Sequence, residues 1–382
     1  VKEVLPLPAD SPARIVAREV LVRGPISRSE LARTLGLSAA SLTRLSRPLL
    51  EAGILQEGID VQAGQVGRPT RPLDIRPEAH RFVGIKLTGD TASGVATDLR
   101  CRPTASSARP LDSHAVDDVV DVICALIGDL SAGGGFSGIG ISLGGKVGSG
   151  EASGVVQRAP FLGWREVPLA RLVQERLGIP VVLANDVVAL TVAQQWFGAG
   201  RGIPNFAVLT IGAGVGYGLV INDRVIAPPD AGLGLVGHYP LSSSGPLCSV
   251  GHRGCSTAML TMPGITEQLA PSTGIAPSYA EVLQQARDNH PEALSVITSA
   301  GTALGTLIAA IANLTMVQTV ILSGEGMDLA AVAAEPIDAA LSAHRDPEAH
   351  PIQLVREPAD FGQWARGAAA VVIQQSIVGA LT

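Results

Sequence analysis

Four side chains able to bind a soft metal ion fall close together in the second half of the chain. The stretch CSVGHRGC carries Cys248, His252 and Cys255, and His238 lies ten positions upstream. Thiolate and imidazole are the donors that zinc prefers, and a structural zinc site closes around four of them. Val250 stands where a further soft ligand would be convenient. Three readings follow from the residues: a zinc site, two buried thiols, or a disulfide between Cys248 and Cys255. With four cysteines in 382 residues there is no disulfide framework, and a reducing cytoplasm is the simpler setting, which weighs against the third. A second polar group closes the apolar run IPVVLAND, where Asn185 and Asp186 offer an amide and a carboxylate. Such a pair either caps a helix or accepts hydrogen bonds from a ligand's hydroxyls.

These groups need a scaffold, and composition bounds it. A chain of 382 residues with 46% hydrophobic content, few aromatics and 44 glycines is suited to two or three domains of α/β type with many tight turns. No N-terminal stretch reads as a signal peptide. The apolar run near Leu307–Val320 is interrupted by Asn313, Thr315 and Gln318, so a buried helix and then a strand are expected there, with no membrane span and a cytoplasmic protein. Charge is unevenly distributed. Residues 1–81 hold 12 Lys and Arg against 9 Asp and Glu, a net of +3, whereas the remainder holds 16 against 25, a net of −9. A small basic module on a larger acidic body suggests an anionic partner for the first part.

The basic module reads as three helices and a hairpin. Ser11 and Pro12 open the first helix, and Ser27 with Glu30 forms a capping box for the second. Ser38 caps the third, AASLTRLSRPLLEAG, which Gly53 closes and in which Pro48 predicts a kink. Leu42, Leu45 and Leu49 recur at core-facing spacing, which turns Ala40, Ser41, Arg44 and Arg47 outward, with Ser38 and Thr43 nearby. Small residues allow close approach to a major groove, and arginine pairs with guanine or phosphate. The segment ILQEGIDVQAGQVGRPTRPLDI reads as two strands around a glycine-rich tip, a wing from which Gln65 and Arg68 would reach phosphate or the minor groove. Residues 1–80 are therefore expected to form a winged helix-turn-helix that binds double-stranded DNA. The plainer alternative is a helical protein-contact module with its arginines on a solvated face.

Residues 81–382 alternate strands that end in glycine with helices: RFVGIKLTGDTASGVATDL as a hairpin, with its second strand at Val95–Leu99, then FSGIGISLGG, IPVVLAND, the hairpin NFAVLTIGAGVGYGLVIND, and AGTALGTLIAAIANLTMVQTVILSGEG. That pattern predicts an α/β sheet protein with ligands at strand ends. In order, GRPTRPL, RAPFLGWREVPL, ANDVVALTVAQQWFG, GAGVGYGLVIND, GLVGHYP and CSVGHRGC resemble the ROK family (repressor, open reading frame, kinase), within the actin-like sugar kinase superfamily. The resemblance covers nearly the whole chain. It implies an actin-like (ribonuclease H-like) two-lobed sugar kinase fold, with a small lobe at about 81–185 plus a C-terminal helix and a large lobe at about 186–360. The winged module precedes it.

The resemblance also implies roles. Family kinases carry an acidic residue near magnesium where this chain has Lys86, and a hydroxyl residue where it has Ala213. An ammonium repels Mg²⁺. Asp186 matches the kinase base, but Val188 and Gln194 replace polar family residues. No catalytic residue and no ATP are therefore expected. The alternative is an ATP-dependent sugar kinase with an appended DNA-binding domain, and a third reading makes the body a docking surface for another protein. Effector contacts are implied at Asn185, Asp186 and His238. Phe161, Leu235 and Thr257 stand where the family has an amide and two carboxylates, so a less polar, acidic or modified sugar, or a ligand that is no sugar, is expected. The family's zinc pattern of one His and three Cys falls on His238, Cys248, Val250 and Cys255, with His252 close enough to offer a replacement nitrogen for a structural zinc. The whole reads as a transcriptional regulator, a repressor, acting as a homodimer or homotetramer on an operator and answering to a small molecule.

Overall fold

A computed structural model describes residues 11–58, 71–270, 277–357 and 361–378. The chain divides into two compact units, 1–202 together with 361–382, and 203–360.

The first unit begins with three helices, α1 (Ala13–Arg23), α2 (Arg28–Thr34) and α3 (Ala39–Glu51), followed by strands β1 (Leu55–Glu57) and β2 (Leu73–Ile75). The helix starts follow from local chemistry. The Ser27 side chain accepts the Glu30 N–H at 3.2 Å, and Ser38 accepts that of Ser41 at 3.1 Å. Helix α1 starts one residue later than the sequence suggests, with Pro12 rather than Ser11 as its N-cap. Helix α3 continues through Pro48 to Glu51. Leu42 and Leu49 are buried, and Leu45 is half-buried, so this helix packs on the predicted face. Strands β1 and β2 pair antiparallel, Leu55 opposite Ile75.

The rest of this unit is built on a five-stranded sheet in the order β10-β6-β3-β4-β5. Its strands are β3 (Phe82–Leu87), β4 (Thr91–Thr97), β5 (Pro103–Pro110), β6 (Gly138–Leu143) and β10 (Val181–Asn185), and a small sheet is formed by β7 (Lys146–Val147), β8 (Val156–Ala159) and β9 (Trp164–Val167). Strands β3, β4 and β5 form an antiparallel meander, and β6 and β10 continue it in parallel. The second strand of the hairpin begins at Thr91, earlier than expected, because Thr88 and Thr91 close the turn through their backbone and the Thr88 hydroxyl. Strand β5 has no expectation in the sequence: it is mostly exposed, polar, and bounded by prolines at an edge. Helices α4 (Val116–Leu130) and α5 (Leu169–Leu177) share an apolar core with one face of the sheet. Helices α6 (Asp186–Phe197) and α13 (Phe361–Val378) pack together, and α13 lies against β3 and β6. A Cβ at Gly84 would sit 1.9 Å from the Ala365 carbonyl, and one at Gly140 would sit 1.9 Å from that of Ala368. Only glycine allows that approach. Because α6 packs on α13, the division of the chain falls after Gly202 rather than near 185.

The second unit repeats the plan. Its sheet order is β13-β12-β11-β14-β15. Strands β11 (Phe206–Ile211), β12 (Val215–Ile221) and β13 (Arg224–Val225) form a meander, continued in parallel by β14 (Thr319–Ser323) and β15 (Gln353–Arg356). The helices are α7 (Ser256–Leu260), α8 (Met262–Glu267), α9 (Tyr279–Arg287), α10 (Pro291–Thr315), α11 (Leu329–Val332) and α12 (Ala334–Ala343). Two sheets of this topology make the actin-like, ribonuclease H-like architecture. Helix α10, 25 residues long, is long and apolar enough to cross a membrane by length and composition. Here it is a core helix: Ile297, Leu304, Leu307 and Ile308 are buried against the sheet and α12.

Candidate functional site

Three constellations stand out. The first is the outer face of α3. Ser38, Ala40, Thr43, Arg44 and Arg47 are exposed and Ser41 is half-exposed, and a shallow concavity is lined by Ala39, Ala40, Thr43, Arg44, Arg47, Pro48 and Glu51. The Thr43 hydroxyl donates to the Ala39 carbonyl at 2.9 Å, so its proton is not offered outward. Arg47 is held by Glu51, Nε to Oε1, at 2.7 Å. Arg44 has no acidic partner among the described residues. Gln65 and Arg68 lie outside the described residues.

This helical head is anchored to the body of the same unit. Arg14 donates to the carbonyls of Ser376 and Ile377 at 3.1 and 3.0 Å, capping the end of α13. Arg18 lies over the Trp196 ring on α6, 5.9 Å from its centroid. Arg100 pairs with Asp74 and donates to the carbonyls of Leu21 and Gly24.

The second constellation is at the start of α6. Asn185 is its N-cap, with the side-chain oxygen accepting the N–H groups of Val187 and Val188 at 3.0 and 3.2 Å. Its amide nitrogen donates to the Gly145 carbonyl and to Asp186 Oδ1, both at 3.1 Å. Asp186 Oδ1 also accepts the Val187 N–H at 2.9 Å. Asp186 Oδ2 is engaged by the Lys86 ammonium in an ion pair whose side chains are 13% and 8% exposed. The same ammonium sits 5.0 Å from the Trp364 ring centroid on α13. Phe161 is 58% exposed in the turn Pro160–Leu162. A Cβ at Gly144 would lie 3.5 Å from both the Phe161 ring and Asp186 Oδ2, so both groups flank Gly144.

The third is in the second unit. His238, Cys248, His252 and Cys255 present donor atoms that all lie within 4.8 Å of one another. His238 Nδ1 is 3.8 Å from each sulfur, and the two imidazoles meet edge to face at 4.8 Å. Bond lengths of about 2.05 Å to nitrogen and 2.3 Å to sulfur put tetrahedral N···S edges at about 3.6 Å. Two imidazoles and two thiols at these separations fit a tetrahedral ion. The turn explains why Val250 is not needed: the Cys248 N–H bonds to the His252 carbonyl at 2.9 Å, which returns residue 252 to the sulfur and leaves Val250 62% exposed. Burial pushes both thiols up. At Cys248 the N–H groups of Val250, His252 and Gly251 and the Cys255 thiol outweigh it and hold the group below its ordinary value, while Cys255 stays raised. Leu235 is 70% exposed, and the Thr257 hydroxyl donates to the Gly237 carbonyl at 2.7 Å.

The glycine hairpin between β11 and β12 has an acid against it. A Cβ at Gly212 would sit 2.3 Å from Glu325 Oε2, so this carboxylate lies against the hairpin's backbone. Sequence reasoning missed Glu325, although SGEG shows a carboxylate inside a glycine turn, and it missed Trp364, whose contact with Lys86 leaves no local signal.

A family model described as ROK family matches residues 82–375. The chain belongs to the ROK family. Among its relatives, a transcriptional regulator of Mycobacterium tuberculosis is 30% identical over 355 residues, spanning 88% of this chain and 79% of the relative. The xylose repressor of Bacillus subtilis is 26% identical over 316 residues, 81% and 80% of the two chains. The DNA-binding transcriptional repressor Mlc of Escherichia coli is 26% identical over 312 residues, 76% and 75%. A crystal structure of a ROK family transcriptional regulator, homologous to Mlc, superposes with a TM-score of 0.82 at 25% identity over 97% of this chain and 98% of that one. A ROK glucokinase from Streptomyces griseus, solved with glucose and AMPPNP, shares the fold with a TM-score of 0.64 at 23% identity, over 76% and 98%.

Proposed function

We propose that this ROK protein is a transcriptional repressor that binds an operator through α3 and releases it in response to a small molecule. The observation that carries the reading is the exposed α3 face, where Arg44, with no acidic partner among the described residues, lies between the small residue Ala40 and the paired Arg47. Helices α1–α3 and the β1–β2 hairpin act as a winged helix-turn-helix, with α3 entering the major groove. The protein works in the cytoplasm as a homodimer on a palindromic site, or as a homotetramer. Retardation of a fragment from its own upstream region, diminishing with salt, tests the proposal.

The effector acts at Asn185, Asp186 and Phe161 within the first unit; His238, Leu235 and Thr257, which the family resemblance also implies, belong to the second unit. Helices α6 and α13 carry the signal within the first unit. Each has one end at the Lys86–Asp186–Trp364 cluster and the other at the head, through Trp196 to Arg18 and through the last carbonyls to Arg14. The spans are about 15 and 18 Å at 1.5 Å per residue. A ligand that favours one arrangement of the cluster biases how the head is held.

His238, Cys248, His252 and Cys255 hold a structural zinc. When bound, the ion ties the turn of His238 to the cysteine loop and fixes the imidazole orientation. Phosphotransfer is not proposed. Lys86 neutralises the carboxylate a kinase would use as base, and Glu325 opposes a phosphate at the glycine hairpin.

A further inference from the structure

The second constellation has an inverted hydrogen-bonding character for a site that would recognise a sugar, and this points to a class of ligand. A hydroxyl donates one proton and needs an acceptor for it. Most acceptor capacity here is committed, and what remains on Asp186 Oδ2 lies beside the Lys86 ammonium. Asn185 Oδ1 receives two backbone N–H groups, and both hydrogens of its amide are placed on Gly145 and Asp186. Asp186 Oδ1 receives two donors, and Oδ2 is held by Lys86. What the cluster retains is donor capacity. The Lys86 ammonium has three N–H groups and is 6% exposed, yet Asp186 is its one hydrogen-bond acceptor among the described residues, with the Trp364 face alongside.

We propose that Lys86 is the specificity-determining residue of the effector site. It donates to an acceptor oxygen, a carboxylate or an acyl carbonyl, of a small molecule whose apolar part rests on Phe161, and the site does not answer to neutral sugars. This rests on the effector reading above. An added carboxylate is tolerated because Lys86 already neutralises Asp186, and the pair lies at the N-terminus of a 12-residue helix, whose dipole favours negative charge. The exposed Phe161 ring, which flanks Gly144 as Asp186 does, supplies an apolar wall where a polyol would need a polar one.

The test is thermal melting of the full chain with matched probes: glucose, galactose and xylose as neutral sugars, glucuronate and galacturonate as their acids, and N-acetylglucosamine as the acyl arm. A ligand that binds only the folded state raises the melting temperature. The expected result is a rise with at least one acid or acyl probe and none with the neutral sugars. The apparent affinity of the responding probe falls at least tenfold in Lys86→Met and severalfold in Phe161→Ala. The uronate and acetyl arms separate the two sources of the acceptor oxygen. If Lys86→Met does not fold, Lys86→Met with Asp186→Leu removes both charges and carries the same expectation, and Phe161→Ala alters an exposed ring. A rise with a neutral sugar overturns the proposal, as does an acid response that survives loss of Lys86, or silence across all acid and acyl probes. DNA retardation without ligand is read separately. Protein that retards DNA but answers to glucose refutes this inference alone, and protein that binds a uronate but no DNA refutes the repressor reading alone.

Discussion

Lys86→Met removes one half of a buried ion pair and leaves the other half in place. Two charges about 4 Å apart at an effective dielectric near 20 attract by about 4 kcal/mol, and breaking such a pair one-sidedly costs about 3–5 kcal/mol. Here the abandoned carboxylate keeps support. Asp186 Oδ1 still receives Asn185 at 3.1 Å and the Val187 N–H at 2.9 Å, and the helix terminus adds about 0.3–1 kcal/mol. The lower end of the range applies, about 3 kcal/mol, or roughly 150-fold in the folding equilibrium at about 1.4 kcal/mol per tenfold. Adding Asp186→Leu removes the stranded charge, and the double variant should return to within about 1 kcal/mol of the parent. Urea unfolding followed by tryptophan fluorescence is the assay. Trp164, Trp196 and Trp364 are the chain's three tryptophans and all belong to the first unit, so the signal reports on the unit that holds the pair. A single variant within about 1 kcal/mol of the parent, or a double variant no better than the single, would refute the buried-pair reasoning.

Metal analysis of protein purified without chelator should find one zinc per chain. Cys248→Ala and His252→Ala should each lower that content and the melting temperature, whereas Val250→Ala should leave both unchanged. The Cys101 thiol is buried and pushed up to about 12 by desolvation from its ordinary 9.0. Its folded value is raised, so its contribution to stability is full below pH 9 and declines as pH rises from 9 towards 12. Over that window the slope is about 1.4 kcal/mol per pH unit, and urea titrations at stepped pH should show it reduced in Cys101→Ala. Arg14→Ala should leave operator affinity without ligand nearly intact and weaken ligand-induced release by about 0.5–2 kcal/mol in coupling, measured by retardation with and without the responding probe.

Legibility in the sequence followed the range of the interaction. The caps at Ser27 and Ser38 are bonds across three residues, so helix starts and the outward face of α3 could be read directly. Glycines after the strands marked where strands stop and turns begin for the same reason. The edge strand β5 had no apolar alternation to reveal it. The Lys86–Asp186 pair joins residues a hundred positions apart, and family comparison placed Lys86 as a loss of magnesium binding without showing its partner. His252 could be named as a replacement ligand, but its direction depends on a backbone bond that closes the cysteine turn. The boundary after Gly202 depends on packing between α6 and α13, which no spacing in either helix announces.

The measurement closest to the central claim is retardation of the protein's own upstream DNA at several salt concentrations, comparing the parent with Arg44→Ala. The account predicts a specific complex whose log affinity falls linearly with log salt, and a loss of about 1–3 kcal/mol of discrimination for its preferred sequence in Arg44→Ala. Failure of the parent to retard any fragment at low salt, or equal specificity in Arg44→Ala, would contradict it.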